Sequence, residues 1–162
     1  TIRDGWLHTG DIGVLDHDGY LQITDRKKDI IVNSAGDTIS PARIENALAL
    51  EPEIEAAVAV GGDDRAHIVA VVEPAAQFAQ DWAKRNARTG DLAALSGDKD
   101  FRAVIGKAVD RTNVRLGAHE RVRHFVLADE PFTIENGMMT PTLKPRRHAV
   151  LKRWGRQLEQ MH

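Results

Sequence analysis

IEAAVAVGGDDRAHIVAVVEP, residues 54–74, reads as two β-strands joined by the short polar turn GDDRA. The first strand mixes small and β-branched residues. The second, HIVAVVEP, is apolar nearly throughout, the pattern of an interior strand covered on both faces. A turn this short joins neighbours in one sheet without a helical crossover. RVRHFVLAD, residues 121–129, supplies a third strand.

Helical text surrounds these strands. SPARIENALAL, residues 40–50, opens with Ser40 as a cap and Pro41 at the first helical position, where a missing N–H costs nothing. Ile44, Ala47 and Leu48 share one face, and Pro52 stops the run. AAQFAQDWAKRNARTG places Phe78 and Trp82 on one face and ends in Gly90. Residues 91–99 read as loop. KDFRAVIGKAVDRTNVRLG has the clearest helical period, through Phe101, Val104, Ile105, Ala108, Val109 and Thr112, with Gly117 at its end. EPFTIENGMMTPTLKPRR, residues 130–147, is irregular. A final basic helix carries Val150, Leu151, Trp154 and Leu158 on one stripe. Strands mixed with helices in this order define an α+β fold rather than a doubly wound sheet: a small sheet of about three strands flanked by helices.

The front of the chain differs. From Trp6 to Asp25 it is short strands broken by turns, and DHDG, with Gly19 free to take positive φ, signals a hairpin. The boundary falls near Asp25–Lys28, dividing residues 1–25 from a compact domain over 26–162. Beyond it, Ile30, Ile31 and Val32 form a buried strand and NSAGD a turn.

Composition narrows the function. The 162 residues are 42% hydrophobic and 28% charged, as in ordinary globular proteins. With 22 basic against 24 acidic residues, there is no cationic excess for a nucleic-acid partner. Without cysteine, thiolate nucleophiles and disulfides are excluded. No apolar run approaches the roughly 20 residues that span a bilayer. The seven histidines form no metal-binding spacing, and no phosphate-cradling Gly-x-x-x-x-Gly-Lys-Ser/Thr loop is present.

Four stretches carry candidate chemistry. HTGD holds Asp11 on a turn, where it either grips a vicinal diol such as a ribose or caps its own backbone. DRKKD packs Arg26, Lys27 and Lys28 between two acids, a phosphate grip or a solvated charge run. In NSAGD, Gly36 permits close backbone approach to a ligand or simply turns a hairpin. TPTLKPRR sets Lys144 on a proline-stiffened loop, either to neutralise developing phosphate or carboxylate charge or as the basic start of a helix.

Taken in order, these become one pattern. GWLHTGDIGVLDHDGYLQITDRKKDIIVNSAGDTISPARIENAL, residues 5–48, resembles the C-terminal part of AMP-forming acyl-CoA synthetases, the adenylate-forming ligases. ENGMMTPTLKPRR is similar to that family's terminal lysine segment, and DRKKDIIVNS and TPTLK resemble its long-chain fatty acid branch. The resemblance implies roles. Asp11 would hold the ribose hydroxyls of ATP and of the acyl-adenylate, assisted by Arg26. Lys28 falls at the hinge. Ser34, Ala35 and Gly36 would line the pantetheine tunnel for CoA, with Ala35-Gly36 where the family usually has Gly-Gly. Lys144 would be the catalytic lysine bridging carboxylate and α-phosphate, and Leu143 stands where the broader superfamily has Gly. Mg²⁺ is expected to bind in a missing N-terminal domain, which would be the cis partner of this lid and hold the fatty acid. The hairpin would then be a stub of that domain, and the chain alone inactive. The expected location is cytoplasmic, with peripheral membrane association left open.

Two alternatives remain at this stage. One is an adenylating enzyme that hands its acyl group to a carrier-protein phosphopantetheine. The other is a free-standing module that binds proteins through Arg146, Arg147, His148, Lys152, Arg153 and Arg156.

Overall fold

Short hairpins open the chain. The computed structural model describes residues 1–33, 36–62 and 65–161. Strands β1 (Ile2–Arg3) and β2 (Trp6–Leu7) pair around a turn at Asp4 and Gly5. Strands β3 (Asp11–Leu15) and β4 (Leu21–Arg26) form the expected second hairpin. In its turn Gly19 takes φ +84°, and the Asp16 carboxylate accepts the N–H groups of Asp18 and Tyr20. The ladder slips between Ile12 and Gly13. A Cβ at Gly13 would lie 2.8 Å from Leu21 Cδ1 and 3.0 Å from the Gln22 carbonyl, so this bulge requires glycine. Strands β5 (Ile31–Val32) and β6 (Thr38–Ile39) then pair antiparallel, burying Ile31 and Ile39.

Helix α1 (Pro41–Leu48) starts where its cap dictates: the Ser40 hydroxyl accepts the Arg43 N–H at 3.1 Å. Strands β7 (Ile54–Gly62) and β8 (Arg65–Pro74) form the antiparallel pair anticipated from their pattern, although Asp63 and Asp64 of the turn lie outside the described residues. Helices α2 (Ala76–Arg85), α3 (Leu92–Leu95) and α4 (Lys99–Arg115) follow, then strand β9 (Val122–Leu127), parallel to β8. Helix α5 (Arg147–Glu159) closes the chain.

The sheet order β7-β8-β9 puts β8 in the centre, and its period-2 alternation serves two cores. Ile68, Ala70 and Val72 pack with α1, α2 and α4, where the Trp82 and Phe101 rings lie 5.1 Å apart. Val69 and Val71 face Val150, Trp154 and Leu158 of α5. The fold is thus the expected mixture, a three-stranded sheet between helices with small hairpins before it.

Three local expectations need correction. Residues 91–99 are not simply loop, because two aspartates cap helices. Asp91 accepts the Ala93 N–H to start α3, and Asp98 accepts those of Asp100 and Phe101, at 2.8 and 3.0 Å, to start α4. Gly90 does not end α2. That helix stops at Asn86, whose side-chain amide donates to the Trp82 carbonyl, and the left-handed residue is Ala87 at φ +52°. Gly117 is no left-handed terminator of α4 either: its φ is −59°, and its N–H donates to the Glu120 carboxylate as a 3-10 turn begins. Among the described residues, no helix is long and apolar enough to cross a membrane.

Candidate functional site

The β3–β4 ladder places Asp11 opposite Arg26, and the Arg26 Nε lies 3.4 Å from Asp11 Oδ1. The Gly10 carbonyl accepts the Lys27 N–H, and the Arg26 carbonyl that of Asp29. These bonds fold residues 26–29 into a tight turn that leaves Lys28 exposed between the hairpin and the domain. Asp11 and Arg26 are therefore brought together by backbone register, with carboxylate and guanidinium facing one exposed spot.

The 33–37 loop is tied across its base. Asn33 accepts the Asp37 N–H at 2.8 Å and donates from its side-chain amide to the Asp37 carboxylate at 3.0 Å. Gly36 stands at φ +85°, a left-handed position that suits glycine. Ser34 and Ala35, the other two tunnel candidates, lie outside the described residues.

Lys144 projects from a laced loop. Asn136 organises its first half: the side-chain amide donates to the Pro131 carbonyl, and the side-chain oxygen accepts the N–H groups of Thr133 and Met138. Thr140 organises the second half. Its carbonyl accepts the Leu143 N–H, its N–H donates to the Lys144 carbonyl, and its hydroxyl accepts the Lys144 N–H. Pro145 bridges back to Met139, and Arg146 N–H reaches the Met138 carbonyl. With its backbone so held, Leu143 adopts φ +56°, a left-handed conformation that favours glycine. The Lys144 side chain is exposed and, among the described residues, has no ion-pair partner. No hydrogen bond or ion pair joins it to Asp11 or Arg26.

Two carboxylates, one buried on β8 and one largely covered on α1, carry no sequence signal. Glu73 on β8 is 4% exposed and accepts the Phe132 N–H at 3.0 Å, while its second oxygen has no partner among the described residues. Burial pushes its pKa up to about 7 against the opposing Phe132 hydrogen bond. Glu45 on α1 is raised by burial as well, although Arg147 and the Ala59 N–H pull it down; Asp25 adds a smaller push upward. The proposed cationic cluster on α5 also loses members. Arg147 is paired with Glu45, and Arg153 with Asp129 and Glu130. Among the described residues no group of three or more His, Asp or Glu side chains is placed to hold a metal ion.

A three-stranded sheet domain, a tight turn and a carboxylate–arginine pair before it, and an exposed lysine on a stiff loop together define a small α+β module. The family model for the AMP-binding enzyme C-terminal domain matches residues 28–162. The chain belongs to that family. It is 37% identical over 99% of its length to the long-chain-fatty-acid–CoA ligase FadD15 of Mycobacterium tuberculosis, covering 27% of that protein. It is 34% identical over 98% of its length to human long-chain-fatty-acid–CoA ligase 6, covering 23%. The A-PCP didomain of carboxylic acid reductase from Segniliparus rugosus, solved with AMP, superposes with TM-score 0.78 at 26% identity. That alignment covers 99% of this chain and 21% of the didomain. The chain thus spans about a quarter of the length of the curated relatives it matches.

Proposed function

We propose that this chain is the C-terminal lid of an ATP-dependent, AMP-forming fatty acyl-CoA ligase. Residues 26–162 act as the lid, and residues 1–25 belong to the preceding N-terminal domain. Family membership supports this reading, and so does the hairpin surface. Ile2, Trp6, Leu7, Leu15, Tyr20 and Leu21 are each more than 60% exposed, as expected of a surface that packs on a domain preceding it.

The reaction has two steps. A fatty acid carboxylate oxygen attacks the α-phosphorus of ATP and expels pyrophosphate, leaving an acyl-adenylate. Asp11 accepts hydrogen bonds from the ribose hydroxyls, with Arg26 alongside. The Lys144 ammonium meets the charge shared by carboxylate and α-phosphate. The lid then pivots at Lys28, withdrawing that cation and presenting the Ser34–Gly36 loop to the pantetheine arm of CoA. The thiol sulfur attacks the acyl carbonyl, and AMP departs. Mg²⁺ on the ATP phosphates would be held by the preceding N-terminal domain. The cytoplasm suits these substrates.

The observation that carries the reading is the exposed Lys144 ammonium, without an ion-pair partner among the described residues, on a loop whose backbone is pinned on both sides. In the full-length polypeptide, Lys144→Ala is expected to cut acyl-adenylate formation about a hundredfold or more, read by ATP–pyrophosphate exchange. Adenylation at the normal rate would remove Lys144 from the reaction.

The likeness to the carboxylic acid reductase didomain supports a second reading, in which a carrier-protein phosphopantetheine replaces CoA. Competition between free CoA and a phosphopantetheinylated carrier for one acyl-adenylate separates the two.

A further inference from the structure

Arg147 begins α5 three residues after Lys144, and its guanidinium is committed elsewhere. It donates to the Glu45 carboxylate of α1 and to the Ala59 carbonyl of β7. The same Glu45 oxygen accepts the Ala59 N–H at 2.9 Å. Ala59 lies on an edge strand of the three-stranded sheet, opposite Ala70 of β8. The ion pair therefore occupies both backbone groups of Ala59 that a further strand would otherwise bond, and so shields the edge. Both side chains are about three-quarters covered. In such surroundings a charge that loses its partner stays buried and uncompensated.

We propose that Arg147, clamped by Glu45 and Ala59, is a positioning residue for Lys144. The link between them is short and stiff: Pro145 is fixed in the bridge to Met139, and Arg146 N–H is held by the Met138 carbonyl. Anchoring Arg147 on α1 and β7 fixes where the loop leaves the sheet, and with it the point from which the ammonium projects. The clamp also joins the lysine loop to α1, which follows the 33–37 loop after strand β6, so the two faces used in the two half-reactions turn as one body. The inference rests on Lys144 acting in adenylation.

The first test needs no activity. Amide hydrogen exchange on this chain should quicken about tenfold or more at residues 138–146 in Arg147→Met, with β8 amides unchanged. The second uses the full-length polypeptide. There Arg147→Met should slow acyl-adenylate formation roughly 10- to 100-fold at an unchanged KM for ATP, because a small misplacement of a reacting group is costly. Arg147→Lys should recover part of this, since one ammonium cannot span both acceptors as a guanidinium does. Combined with Lys144→Ala, Arg147→Met should add nothing further. Arg153→Met, which removes ion pairs to Asp129 and Glu130 and a cation–π contact with Trp154 on the same helix, should leave the rate unchanged. Unaltered exchange at 138–146, or a full additional loss in the Lys144→Ala background, would overturn the clamp. A full-length wild type that makes no acyl-adenylate would defeat the ligase reading, and the exchange experiment would still decide the clamp.

Discussion

Asp11 and Arg26 are cross-strand partners in one hairpin, 3.4 Å apart at their nearest charged atoms. That spacing is longer than a tight charge-assisted hydrogen bond, so the carboxylate keeps acceptor capacity for a ligand. Asp11→Ala in the full-length polypeptide should raise the KM for ATP roughly tenfold, the loss expected for hydrogen bonds to a charged group. Steady-state kinetics at varied ATP checks this, and an unchanged KM would sink the ribose assignment.

Leu143 is 72% exposed and left-handed, so its side chain gains little from burial while its backbone is strained. Leu143→Gly relieves the strain but loosens the unfolded chain, and the two effects should cancel to within about 0.5 kcal/mol. Leu143→Val, β-branched at the same φ, should destabilise by about 1 kcal/mol or more. Urea unfolding of the three proteins gives the order.

Glu73 sets a pH dependence. Its pKa rises from 4.5 to about 7 on folding, so between those values the native state holds more protons than the unfolded chain. Stability is therefore greatest at the acid end of this window and declines as pH rises through it, by roughly 3 kcal/mol. Glu73→Gln keeps an acceptor for the Phe132 N–H and removes the titration. Its Tm should match the wild type near pH 5 and exceed it by about 5–10 °C at pH 8. Parallel curves for the two proteins would refute the assignment.

Asp98 works in the opposite direction. Hydrogen bonds from the Phe101 N–H and Arg88 hold its carboxyl below the usual range, so its contribution is present at neutral pH and lost on acidification. Asp98→Ala should lower the Tm of this chain by about 2–4 °C at pH 7, with a smaller gap at pH 3.

How far the sequence could be read follows from the range of each interaction. Gly19 in its turn, Ser40 with Pro41 at the start of α1, and the alternation of β8 are local signals, and each appears where its chemistry requires. Asp91 and Asp98 were equally local, yet in a polar stretch a cap and a loop aspartate look alike until the next helix is seen. The Asp11–Arg26 pairing follows from a hairpin register that its turn sets. The contacts of Glu45 with Arg147 and of Glu73 with Phe132 join residues 102 and 59 positions apart. Nothing in a linear reading marks Glu45 or Glu73, because what makes them matter is desolvation that only the assembled sheet provides.

The parallel pairing of β9 with β8 has a consequence for assembly. Strands β7 and β8 are neighbours in sequence and zip locally, whereas β9 returns only after three intervening α-helices. Closing so long an excursion defers its reward, which makes β9 a late arrival during folding. Until it docks, the valine-rich β8 shows a bare flank to any passing chain. Helix α4, whose Phe101 and Ile105 pack into the same core, is the element that brings β9 home and ends that exposure.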